Sequence, residues 1–385
     1  MNRRTNFQLA RISGIRIGVG TSWFFVLFLL IYYLSQYYFH ELLGGSQTTA
    51  YVAAVIGALG YFASLILHEL GHALTARRLG IPIVGIDLWF FGGISQMRRE
   101  PQTAGEEFKI ALAGPAVTLA LFILCLIAGL ILAGGHRFFE VTVARSGFTT
   151  TPALAVVGWL GFINALLFVF NIVPAFPLDG GRLARALVWW RTGDRHRGTR
   201  VTGRAGQVFG GLLGLVGLLV LVSGDSFGVV TLALGMILYQ AAGGAVVQGS
   251  MGQRMQSVKV ADIMDTEPVT IAAQTGLLDA QEQFFLRYSW PWFAVVDTTR
   301  HFLGVVRAER VDAEIAAGRP ALAVAEVLEE DLPVQIDEEA PLESLMRSEG
   351  LRRLGAMVAV DGEGVLRGVV TLAQIRKALT PAEGS

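Results

Sequence analysis

Six apolar runs, at roughly 21–39, 49–75, 107–133, 153–173, 206–222 and 227–247, approach the ~20 residues a helix needs to cross a bilayer. That constraint leaves few folds open, because every backbone group in hydrocarbon must be satisfied inside a helix or a closed barrel. Runs of this length predict helices. Composition agrees: 53% of the 385 residues are hydrophobic and 16% are charged, less charge than a soluble chain of this length carries. The bias is uneven. Up to about Gly249 the chain is mostly apolar, whereas from Gln253 onward acidic and basic residues mix with short alternating strands. The shift predicts a membrane-embedded domain over residues 1–250 and a soluble one over 251–385.

The net charge is zero, so charge gives no reason to expect nucleic acid as a partner. Cys125 is the single cysteine and lies in an apolar run, where it is a small hydrophobe with no internal disulfide to form. Met1–Gly20 is basic but has no small-residue cleavage site after a short apolar core, so the first apolar run reads as a retained span. That run is rich in aromatics, from Trp23 to Phe39, which suits interfacial anchoring. The fifth run is short and carries Gly206, Gly210, Gly211, Gly214 and Gly217, a pattern for close helix packing.

Positive charge orients the spans. Arg3, Arg4, Arg11 and Arg16 precede the first. Arg77, Arg78, Arg98, Arg99 and Lys109 follow the second, and seven arginines from Arg182 to Arg204 follow the fourth. The opposite loops carry only Arg137 and Arg145. The expectation is a multi-pass protein of the cell membrane with both termini cytoplasmic.

The second run contains His68-Glu69-Leu70-Gly71-His72. On a helix, H-E-x-x-H places two imidazoles at i and i+4 on one face, which is zinc-ligand spacing. The first basic residue after it, Arg77, follows His68 by about 13 Å of helix, so the site falls inside the bilayer near its cytoplasmic face. Two histidines and a glutamate without partners would cost several kcal/mol there, so intramembrane ionisable groups read as functional. His68 and His72 are candidate metal ligands. Glu69 is placed to take a proton from a metal-activated water and pass it to the leaving nitrogen. A catalytic zinc needs a third protein ligand and one open position. The fourth run ends Asn171-Ile-Val-Pro174-Ala-Phe-Pro177-Leu-Asp179-Gly180-Gly181. Two prolines three apart cannot continue a helix, so the span should unwind and project Asp179 at the depth of His72.

The motifs at 68–72 and 171–181 together resemble the site-2 protease family of intramembrane zinc metalloproteases, in the branch with C-terminal CBS domains and no PDZ domain. The resemblance implies one Zn2+ per chain held by His68, His72 and Asp179, with Glu69 as general base. Asn171 and Pro177 match the family's asparagine and proline, and Asn171 is similar to the residue that holds substrate backbone or oxyanion. Ala113-Gly114-Pro115 also matches a family feature and reads physically as a close-packing and kink site. Asn164 is expected to be structural. Leu88–Met97 has no helical period and centres on Gly92-Gly93, so it reads as a hairpin or edge strand beside the site, to which an extended substrate could pair. An ordinary re-entrant loop is the competing reading.

Two similar segments, about 257–316 and 321–379, each predict a short helix, a strand, a helix, two strands and a helix. They resemble a tandem CBS pair, a module that often binds adenine nucleotide and dimerises. Arg307 and Arg310 stand where the first repeat would carry the Thr/Ser and Asp of that pattern. The second keeps Thr371 but has Gln374 in place of the Asp. Dimerisation or substrate docking therefore competes with nucleotide sensing. The expected fold is a polytopic α-helical membrane protein of about six transmembrane helices with a C-terminal α/β tandem CBS domain. The expected function is a prokaryotic zinc endopeptidase performing regulated intramembrane proteolysis on a single-span or multi-span membrane protein. A CBS-regulated transporter would show inverted repeats and paired broken helices, and only one broken helix is evident. An inactive membrane scaffold is disfavoured because every expected catalytic residue is present.

Overall fold

The computed structural model describes residues 7–89, 92–142, 149–329, 333–346 and 348–379. The chain divides into two compact units, up to Gly249 and from Ser250. In the first, α1 (Thr21–Tyr33) runs through a π-helical turn, Leu34–Tyr38, into α2 (Phe39–Leu42). Then come α3 (Gln47–Arg78), α4 (Ala104–Ala133), α5 (Gly135–Thr142), α6 (Pro152–Ile172), α7 (Asp179–Thr192), α8 (Arg195–Val222) and α9 (Phe227–Ser257). Six helical stretches among the described residues have the length and composition to cross a membrane: α1 continued through α2, α3, α4, α6, α8 and α9. They coincide with the six apolar runs, with two differences. The fifth begins at Arg195 because Asp194 caps it, accepting the Arg197 N–H at 2.9 Å, so the basic stretch before Gly206 is helical. The connection between the third and fourth spans contains α5, whose Phe138 and Val141 pack back into the bundle core. Arg145 of that connection lies outside the described residues.

The fifth span packs as its glycines predict. A Cβ on Gly210 would meet the backbone of Tyr239 and Gly235 in α9, and one on Gly217 would strike Leu232. Contact at this distance lets backbone dispersion hold two helices that lipid gives no hydrophobic reason to associate. In the third span, α4 continues as one helix through Pro115.

A four-stranded sheet accompanies the helices: β1 (Phe7–Ile12), β2 (Ile15–Val19), β3 (Ile83–Trp89) and β4 (Gly92–Met97), in that spatial order. The β3–β4 hairpin realises the expected hairpin at 88–97, and Phe90 and Phe91 at its turn lie outside the described residues. The β1–β2 hairpin was not expected. It turns at Ser13-Gly14, both at positive φ, a geometry that suits the twist of a two-residue hairpin loop. β2 then pairs in parallel with β3, Ile17 opposite Ile86. Arg16 on β2 and Gln96 on β4 both donate to the Asp87 carboxylate on β3, at 2.9 and 2.8 Å, tying three strands across one face. The opposite face buries Ile15 and Ile86 against Leu70 and Ala73 of α3. Strands β2 and β3 share a sheet, so the helices between them must cross the membrane an even number of times. That agrees with two spans, one through α1 and α2 and one through α3.

One buried ion pair braces the helices around the middle of this unit. Glu107 of α4 is fully buried, and its Oε1 accepts from both Nε and Nη2 of Arg185 in α7. Its other oxygen has no partner among the described residues.

In the second unit two three-stranded sheets repeat one pattern. β5 (Thr270–Ala272) runs parallel to β6 (Trp292–Val296), which is antiparallel to β7 (Phe302–Arg307). β8 (Gln335–Asp337), β9 (Ala356–Val360) and β10 (Leu366–Thr371) do the same. Each repeat has its own core, around Phe293 and Val306 in the first and Met357 and Val370 in the second. A third cluster joins Ala294 and Val296 to Val358 and Val360, so one face of each sheet is covered by the other repeat.

Removing one charge of a buried pair strands the other, at a cost of about 3–5 kcal/mol, whereas replacing both by apolar groups is nearly neutral. Chemical unfolding in detergent micelles is therefore expected to show Glu107→Gln strongly destabilised and the double variant E107L/R185M largely recovered.

Candidate metal centre

His68 and His72 lie one turn apart on α3 and both are buried. The i, i+4 spacing brings His68 Nε2 and His72 Nε2 to 3.1 Å. The third group comes from across the bundle. α6 stops at Ile172, the chain runs unwound past Pro174 and Pro177, and α7 begins at Asp179, as the two prolines dictate. The Phe176–Pro177 peptide is cis. Backbone exposed by the break is satisfied within the protein: Phe176 N–H donates to Thr202 O of α8 at 3.1 Å, and Leu178 N–H to Ala175 O at 2.9 Å. Gly180 and Gly181 make the fold-back possible, since a Cβ on either would collide with the backbone of residues 172–176. Asp179 Oδ2 then lies 3.0 Å from His68 Nε2 and 3.1 Å from His72 Nε2. Its other oxygen faces Arg182 at 3.5 Å, and the positive end of α7 favours an anion at this position. Asp179 could have served only as a helix cap; instead its carboxylate points at the imidazoles.

The donor set fits a cation. His72 Nδ1 donates to Ile110 O of α4 at 2.6 Å, which leaves a lone pair on Nε2. A carboxylate oxygen also only accepts. Two acceptors 3.1 Å apart repel unless something positive sits between them, and His68 Nε2 faces the same point. Two imidazoles and one carboxylate are a catalytic zinc set with a position left for water or substrate. These three are the group of metal-ligating side chains found among the described residues. Gly114 of α4 closes the other side: a Cβ there would run into Nε2 of both histidines. The expected role of Ala113-Gly114-Pro115 as a close-packing site thus falls on the metal cluster itself.

Glu69, beside His68, turns toward the sheet. Its Oε2 accepts from Ser95 Oγ of β4 at 2.8 Å. Gly93, two residues earlier on β4, lies so close that a Cβ would strike Glu69 Cγ. Gly92 pairs with Trp89 at the end of the hairpin. The structure therefore brings Glu69, Gly93, His68, His72 and Asp179 together. Asn171 sits half-buried in the last turn of α6, and Pro177 is exposed in the unwound segment two residues before Asp179. Asn164 is buried and donates to Ser64 Oγ of α3 at 3.1 Å, a bond that ties α6 to α3. Sequence reasoning missed Ser95 and Ile110. A serine in a strand carries no signal, and a backbone carbonyl carries none at all.

The profile of peptidase family M50 matches residues 56–216, and that of the CBS domain matches residues 260–316. A Synechocystis protein named as a zinc metalloprotease, sll0528, is 30% identical over 383 residues, covering 97% of this chain and 95% of that one. Rip3 of Mycobacterium tuberculosis, also named as a zinc metalloprotease, is 33% identical over 306 residues, covering 79% of this chain and 74% of its own length. The solved site-2 protease of Methanocaldococcus jannaschii is similar over 62% of this chain and 94% of that one, at 26% identity and a TM-score of 0.41. The chain is a membrane zinc metalloprotease of peptidase family M50, the site-2 protease family, in its CBS-bearing branch.

Proposed function

We propose that this protease cleaves a membrane-spanning protein near the cytoplasmic end of its span, with His68, His72 and Asp179 as the zinc ligands and Glu69 as the general base. The observation that carries the ligand set is the approach of Asp179 Oδ2 to 3.0 and 3.1 Å from two imidazole nitrogens more than a hundred residues earlier. Bound zinc supplies a Lewis acid that acidifies water and polarises the scissile carbonyl. The chain's own groups do the rest. Glu69 accepts the proton released by the attacking water and returns it to the departing amide nitrogen. The Ile110 carbonyl holds His72 in the tautomer that ligates through Nε2. β4 is an edge of the sheet among the described residues, so a substrate segment drawn out of helix can pair along it and present its backbone in extended form. Asn171 and Pro177, at the mouth of the unwound segment, contact that segment. Residues 1–250 form the membrane-embedded protease domain. The protein lies in the cell membrane with this end of the bundle, both termini and the CBS pair of residues 251–385 in the cytoplasm, a reading supported by the arginine-rich segments.

The CBS pair is the regulatory or dimerising module of this reading. Between its repeats lies a cavity of about 360 Å³ lined by Trp290, Trp292, Asp265, Thr371 and Gln374, with no Lys or Arg among its lining residues. Gln374 Oε1 accepts from both the Thr371 N–H and hydroxyl, which takes up the threonine that a phosphate would need. In the first repeat, Arg307 is paired with Glu329, and Arg310 with Glu314. The indoles suit a flat base, while phosphates gain no cation there.

Three outcomes test the reading. Purified Glu69→Gln keeps its zinc but loses cleavage of a single-span substrate by about a hundred- to ten-thousand-fold; full activity would remove Glu69 as base. Asp179→Ala binds less than one zinc per chain by metal analysis, and unchanged stoichiometry would take it out of the ligand set. AMP and ATP shift the melting temperature of the full chain by equal amounts. A larger shift with ATP would show a phosphate site that the cavity lining does not account for.

A further inference from the structure

Strand β4 does more than present an edge. Side chains two apart on a strand point the same way, and the face of β4 that carries residues 93 and 95 is turned to Glu69 of α3. Gly93 gives the room: any side chain there would occupy the position of Glu69 Cγ. Ser95 makes the contact, its hydroxyl donating to Oε2 at 2.8 Å and lying 3.3 Å from the Glu69 main-chain oxygen. The hydroxyl has one proton, and the shorter, charge-assisted bond takes it. On its far side β4 is fixed to the sheet through Gln96, which donates to Asp87 at 2.8 Å.

We infer that Ser95 is a positioning residue for the reaction, holding the Glu69 carboxylate in its working orientation from the same strand that substrate would extend. The inference rests on Glu69 being the general base. Gly93 fixes how near the strand comes, and Ser95 fixes which way the carboxylate faces. A carboxylate tethered by one oxygen keeps the other free to accept a proton. Without the tether the side chain samples other rotamers, and the free oxygen has no fixed position. Loss of an outer-shell partner of this kind lowers activity by about ten- to a hundred-fold.

The test uses the full-length, zinc-loaded protein in micelles. The substrate is a single-span peptide with a helix-breaking Gly-Pro pair near its cytoplasmic end. Ser95→Ala is expected to lower kcat about ten- to a hundred-fold, with KM and zinc stoichiometry unchanged. Ser95→Thr, which restores the hydroxyl, is expected to recover most of kcat. Wild-type kcat in Ser95→Ala overturns the inference. So does a Ser95→Thr protein as slow as Ser95→Ala, since that marks a packing role, or a loss of zinc that accounts for the loss of rate. Glu69→Gln is run beside them. An active Glu69→Gln protein defeats the base assignment itself, whereas an inactive one together with a fully active Ser95→Ala defeats only the role given to Ser95.

Discussion

The structure turns on one meeting of side chains in an apolar slab: a carboxylate brought against two imidazoles from a helix distant in sequence. Each group alone would be an expensive intruder at membrane depth. Together they form a set of acceptors that stabilises a cation and is stabilised by it. Much of the first unit serves that meeting. The fourth span breaks so that Asp179 can begin a new helix facing inward, and α8 supplies the carbonyl that satisfies the broken backbone. α4 contributes the carbonyl that orients His72 and, at Gly114, the absence of a side chain. The Glu107–Arg185 pair ties α4 to α7, the two helices that carry the His72 acceptor and Asp179.

The proposed base is held separately from the proposed ligands. Glu69 shares a helical turn with both histidines yet takes its hydrogen bond from β4 rather than from the bundle. Helix α3 therefore faces two ways, presenting imidazoles to α4 and α7 and the carboxylate to the sheet. H-E-x-x-H spacing permits this, because the residue after the first histidine lies about a quarter-turn around from it.

What could be read from the chain follows from the range of each signal. The spans, the imidazole pair and the helix break at Pro174 and Pro177 are local, and a helix or its interruption is legible within a dozen residues. The approach of Asp179 to the histidines was legible because a zinc site would need a third ligand and the break sits at the right depth. The N-terminal hairpin was not legible. All six residues of β1 are exposed, so the strand has no buried alternation to betray it. Ser13-Gly14 is a turn signal only once strands flank it. β2 is buried, but its partner β3 follows two spans later. Ser95 and Ile110 acquire meaning only when α3 packs beside them. In the C-terminal half the repeat was legible as internal similarity, whereas the mutual covering of the two sheets is a tertiary fact.

The parallel pairing of β2 with β3 bears on how the protein comes to be active. The strand that joins residues 15–19 to residues 83–89 cannot form until both spans between them have been synthesised and inserted. Asp179 is made later still. A nascent chain thus carries both histidines and Glu69 well before it has the proposed third ligand, and the N-terminal hairpin precedes its partner β3. The proposed ligand set is therefore complete only once the fourth span and the start of α7 have been made.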